Sequence, residues 1–135
     1  MNFTTLKTTM LAVVTAMLMG SFSLPALADI KDYTFQLVKS EVKKGDGTIV
    51  EVRLLNKKTQ KPVSEAVIFA KRIDMAPDGM ETMAGPIELA PSTEPGIYRF
   101  KAGLSMEGRW QLSLSAKIQG ETETLTSKLI VKVVP

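Results

Sequence analysis

The chain of 135 residues contains no cysteine and no histidine. Without cysteine there is no disulfide, no thiolate nucleophile and no lipid anchor on an N-terminal cysteine. Without histidine the commonest general base is gone. Both absences together remove the usual ligands of zinc and of cupric ion. A serine nucleophile would need some other base, and no spacing supplies one. A glycosidase pair needs two carboxylates placed in one cleft, and no pattern indicates it. An enzyme is therefore not expected. Aromatic residues are also few, with one tryptophan, two tyrosines and five phenylalanines. They give little to stack on bases. The net charge is only +3, with lysines scattered among acids. The charge reads as a solvated surface, and no nucleic-acid partner is expected.

Long apolar runs are missing as well. The longest, "MLAVVTAMLM" at Met10 to Met19, is short of the roughly 20 residues that cross a bilayer. With Lys7 before it and Ala26-Leu27-Ala28 after it, this run predicts a secretory signal peptide over residues 1–28. No membrane span is expected after cleavage. The remaining chain, residues 29–135, is about the size of one domain. Lacking disulfides, it must be held by a hydrophobic core, which about 107 residues can supply.

Turns recur about every ten residues, a spacing typical of all-β sandwiches and barrels. "YTFQLV" at 33–38 puts Tyr33, Phe35 and Leu37 on one face. Gly45-Asp46-Gly47 predicts a tight turn through positive φ. Val50, Val52 and Leu54 share a face of the next strand. "AVIFAKRI" at 66–73 opens with a continuous apolar run, which fits a strand buried on both faces. Ile87–Leu89 fits a short edge strand, and Tyr98 and Phe100 point inward from residues 97–102. Residues 109–118 alternate most clearly, with Trp110, Leu112, Leu114, Ala116 and Ile118 on one side. A last strand over 122–133 turns Leu125, Leu129, Val131 and Val133 inward. No helical periodicity appears. Six or seven strands then predict an immunoglobulin-like antiparallel β-sandwich with Trp110 in its core. A closed barrel is the alternative.

What the chain does have is methionine in an odd place. Beyond residue 28 the only methionines are Met75, Met80, Met83 and Met106. Three lie in "RIDMAPDGMETMAGPI", residues 72–87, among Pro77, Gly79, Gly85 and Pro86, so the segment reads as a loop. Met75 also shares strand parity with Val67, Phe69 and Ile73. Thioether sulfur is soft and neutral, and it suits cuprous ion. Met75, Met80, Met83 and Met106 are thus candidate ligands of Cu(I) or Ag(I), with Met106 brought near if loops at one end of the sandwich cluster. The competing reading is adaptable apolar filler closing that end. Asp74, Asp78 and Glu81 lack the spacing of a twelve-residue calcium loop. Asp74 and Asp78 are expected to accept backbone N–H bonds in the turn.

"KPVSEAVIFAKRIDMAPDGMETMAGPI", "PGIYRF" and "GRWQLSLSAKIQGETETLTSKLIVKV" together resemble the YtkA-like, or FixH-like, family of exported bacterial domains, over about residues 33–133. The resemblance implies an immunoglobulin-like sandwich in the periplasm, occupying residues 29–135. It further implies an association with heavy-metal efflux or with the copper supply to cytochrome oxidase. The loop residues Asp74, Met75, Pro77, Gly79, Met80 and Met83 carry it, with Tyr98, Gly108 and Trp110 as strand residues. The mature start "DIKDY" lacks the histidine that opens copper-resistance sandwiches, which leaves Cu(I) and not Cu(II). The expected partners are a heavy-metal efflux adaptor or another envelope protein. The rival expectation is an interaction module whose methionines contact that partner with no metal.

Overall fold

A computed structural model describes residues 29–135. The expected signal peptide lies outside these residues. A 3-10 turn at Ile30–Asp32, capped by the Asp29 side chain, leads into β1 (Tyr33–Leu37). There follow β2 (Glu41–Lys43), β3 (Gly45–Asn56), β4 (Lys61–Pro62) and β5 (Ala66–Met75). A second 3-10 turn, Ala76–Asp78, precedes β6 (Met80–Gly85) and β7 (Ile87–Ala90). The chain closes with β8 (Ile97–Leu104), β9 (Gly108–Ile118) and β10 (Thr124–Val134). Among the described residues no helix is long and apolar enough to cross a membrane.

The strands form two sheets, ordered β1-β3-β8-β7 and β2-β10-β9-β5-β6, with β4 pairing β3 beside the first. The fold is the expected immunoglobulin-like sandwich. Neighbouring strands are antiparallel except β2 and β10, which run parallel. That pair arises because the chain leaves the first sheet after β1 and crosses at Val38–Ser40, where Val38 N–H donates to Glu51 and Lys132 N–H donates to the Ser40 carbonyl. It lays β2 on the second sheet and then returns as β3. Three short pieces, β2, β4 and β6, raise the strand number above six or seven, because two or three ladder bonds suffice for them where the alternation is too brief to show.

Each long strand turns its alternate apolar residues into one core, since successive side chains on a strand face opposite ways. Val50, Val52 and Leu54 of β3 meet Phe100, Ala102 and Leu104 of β8 from one side. Trp110, Leu112, Leu114 and Ala116 of β9 and Val131 and Val133 of β10 fill the other.

Two local expectations are corrected. Gly45 and Gly47 do not make a tight turn. They lie within β3, where a register shift opposes Gly45–Thr48 to Ala102–Leu104, and neither has positive φ. The bulge absorbs the bend. Nor is β5 buried on both faces, since Val67 is 68% and Phe69 56% exposed. A second register shift explains this. Ile68 pairs Ala116 while Ala70 pairs Ser115, so Phe69 is the extra residue of a β-bulge. The bulge reverses the phase of the strand. Ile68 faces inward before it and Ile73 and Met75 face inward after it. Val67 and Phe69 therefore do not share a face with Ile73 and Met75.

Candidate functional site

The segment read as a methionine loop is a β-hairpin. β5 runs on through Met75, and β6 resumes at Met80. The residues that signal a break are confined to the tight connection. Pro77 sits in the first turn of the 3-10 piece, where its fixed φ fits. Gly79 closes that piece at φ +75°, a left-handed conformation that glycine accepts without strain. Asp74 Oδ1 accepts the Ala76 N–H at 2.9 Å and so caps the turn. The expectation of a turn N–H bond is met by Asp74 and corrected for Asp78, which accepts the Arg109 N–H on β9 instead.

Two arginine clamps hold the hairpin tip. Arg72 Nε donates to Asp74 Oδ2 at 2.8 Å, and its Nη2 donates to the Glu81 carbonyl at 2.9 Å. Asp74 is buried beneath this pair. On the other side Asp78 reaches across to β9. Its Oδ2 accepts the Arg109 N–H at 2.8 Å and its Oδ1 accepts Arg109 Nε at 2.9 Å, while Arg109 Nη2 donates to the Pro77 carbonyl. These bonds to the Arg109 backbone and side chain hold the Asp78 carboxyl below the usual carboxylate range. Sequence spacing gave no sign that Asp78 binds a strand 31 residues away.

The clamp draws the start of β9 onto the hairpin, and with it the Ser105–Glu107 turn that carries Met106. Gly108, at φ +137°, lies directly over the Met75 side chain: a methyl placed on Gly108 would fall 2.7 Å from Met75 Cε and 2.7 Å from Asp78 Oδ2. The Met106 carbonyl accepts the Trp110 Nε1–H at 3.0 Å, which ties that turn to the core. It is Gly108, two residues after Met106, that these contacts bring against the hairpin.

The four methionines differ sharply in access. Met75 is 1% exposed and belongs to the core. Met80 is its cross-strand partner, half-buried and packed on the same core. Met83 lies where β6 carries three residues, 81 to 83, between the pairs Met75–Met80 and Asp74–Ala84, and it is 36% exposed. Met106 is 39% exposed. The hairpin and the Ser105–Glu107 turn thus carry one buried, one half-buried and two exposed thioethers. Trp110 is 1% exposed, with the core role expected of it. Among the described residues no three carboxylates group as a cation site.

The profile of the family described as YtkA-like matches residues 27–115. No curated protein matches the sequence. Among solved structures, the chain is similar to the ZirS C-terminal domain, at 16% identity and a TM-score of 0.46, over 79% of this chain and 68% of that one. It is also similar to the Lin-41 filamin domain, at 16% identity and a TM-score of 0.41, over 79% and 96%. A further likeness is to domains 4 and 5 of the S-layer protein SbsC, at 18% identity and a TM-score of 0.40, over 76% and 51%.

Proposed function

The chain belongs to the YtkA-like family, and from that premise we propose that it is an exported, periplasmic, non-catalytic domain that holds a soft monovalent ion, Cu(I) or Ag(I), at the methionine end of its sandwich. The observation that carries this reading is the placement of all the methionines of residues 29–135 on one hairpin and the turn clamped to it. Met80, Met83 and Met106 are the thioethers within reach of solvent, and Met75 stands behind them against Met80. Thioethers need no deprotonation to bind, so such a site works in acid as well as at neutral pH. Export is supported by the N-terminal sequence pattern, and the partner by family resemblance alone: a heavy-metal efflux adaptor or another envelope protein to which the ion is passed. Competition against a chromophoric Cu(I) chelator tests the site. One equivalent is taken up by the parent, and Met80→Leu with Met83→Leu removes that uptake. Uptake unchanged in this pair rejects the ligand assignment.

A second reading has its own observation. Met83 and Met106 are exposed apolar side chains, and methionine adapts readily to a partner surface. In this reading the domain is an interaction module of the cell envelope with no metal. Partner capture that survives a copper chelator and is lost in Met83→Ser with Met106→Ser favours it.

A further inference from the structure

The basic residues of the described chain are dispersed in sequence but not in space. On the second sheet the buried inward positions are apolar, and the outward positions collect cations. Ladder pairing sets Lys132 beside Arg109, Lys128 beside Ser113 and Arg72, and Lys117 beside Val67. All five basic side chains are exposed. Arg72 and Arg109 are each drawn to an aspartate, so Lys117, Lys128 and Lys132 carry the free charge of the face. The acids beside it include Asp74, covered by Arg72, Asp78, bonded to Arg109, and Glu41, at the β2 edge opposite Lys132. The outer face of the first sheet is different. There Arg99 lies 3.9 Å from Glu51, and Lys101 is paired in register with Glu88.

Apolar side chains stand among the lysines of the second sheet. Ile130 is 47% exposed and sits between Lys128 and Lys132 on β10. Val67 and Phe69, at 68% and 56%, stand at the Lys117 end. The bulge at Phe69 is what keeps these two pointing outward. It also argues against the open edge of β5 as a place for strand addition, because a bulge and the inward-phased Lys71, paired with Leu114, both blunt an edge.

From this juxtaposition we infer that the outer face of the β2-β10-β9-β5 sheet docks on an anionic lipid bilayer surface. The lysines are complementary to phosphate headgroups. Phe69, Val67 and Ile130 stand exposed among them, apolar side chains of the kind that enter a headgroup layer. A sheet face with basic and apolar side chains interleaved satisfies both components of peripheral membrane attraction. The methionine hairpin belongs to the same sheet, and its clamp residues Arg72 and Arg109 stand on this face, but the docking proposal uses none of the four methionines.

Co-sedimentation of residues 29–135 with vesicles tests the inference, since this is the form that the expected cleavage after Ala28 leaves and it omits the apolar N-terminal run. The protein binds vesicles containing phosphatidylglycerol and not vesicles of phosphatidylcholine alone. Lys128→Glu with Lys132→Glu lowers that binding at least about tenfold, while Arg53→Glu with Lys101→Glu, on the opposite face, leaves it unchanged. Phe69→Ser removes the part of the binding that persists at high salt. Thermal melts of each variant separate lost docking from lost folding. Absence of binding to the anionic vesicles overturns the inference, and so does an equal loss from the opposite-face pair. Binding to soluble polyglutamate but to no vesicle overturns it in favour of an acidic protein partner.

Discussion

At the scale of single residues the site rests on a glycine and an aspartate. Gly108 combines a positive φ with close approach to Met75 and Asp78. Alanine there meets backbone strain and two contacts that must give way. Gly108→Ala is expected to cost about 1–3 kcal/mol, read as a lowered urea midpoint with an unchanged slope. Asp78 makes a pH-dependent contribution whose sign follows from its bonds to Arg109. Its carboxyl titrates lower in the folded chain than in the unfolded one, where the value is about 3.9. The stabilisation is therefore complete above that unfolded value and is lost as pH falls through the folded one. Asp78→Asn should lower stability at neutral pH, and the parent and variant curves should converge in acid. A gap that persists undiminished in acid contradicts this role.

At the scale of elements, what the sequence made legible depended on the strength of alternation. β9 alternates without interruption for ten residues, and its buried set, Trp110 to Ile118, follows directly. The inner faces of β3, β8 and β10 are equally plain. β5 was legible as a strand but not in its phase. One residue, Phe69, is added opposite Ala116–Ser115, and no local pattern announces it. Everything that depends on that phase was lost with it, including the exposure of Val67 and the burial of Met75. The hairpin was hidden for the opposite reason. Pro77 and Gly79 do break the chain, but the break is confined to Ala76–Gly79, and strand pairing resumes at Met80. Turn chemistry marks where a connection lies and says little of its length. The Asp78–Arg109 clamp was not legible at all, because an ion pair across 31 residues leaves no local mark. The candidate methionines themselves were visible from residue type alone. Their division into buried Met75, half-buried Met80 and exposed Met83 and Met106 required the fold.

At the scale of the whole molecule, the family match ends at residue 115, yet the core does not. β10 pairs with β9 from Thr124–Lys117 to Val133–Gly108 and places Val131 and Val133 in the interior. Removing it opens one face of Trp110, whose cross-strand partner is Val131. Each of the two valines is worth about 1.5–3 kcal/mol by burial alone, against a total stability of about 5–15 kcal/mol. A chain ending at residue 118 is expected to be unfolded by circular dichroism, and a cooperative melt from it contradicts the account. The central claim, that thioethers at one end of this sandwich seat a soft monovalent ion, is tested most directly by titrating Ag(I) into residues 29–135 carrying 13C-labelled methionine methyls. The account predicts that the Met80, Met83 and Met106 methyl resonances shift together and saturate at one equivalent. Resonances that remain in place, or that drift independently without saturating, would contradict it.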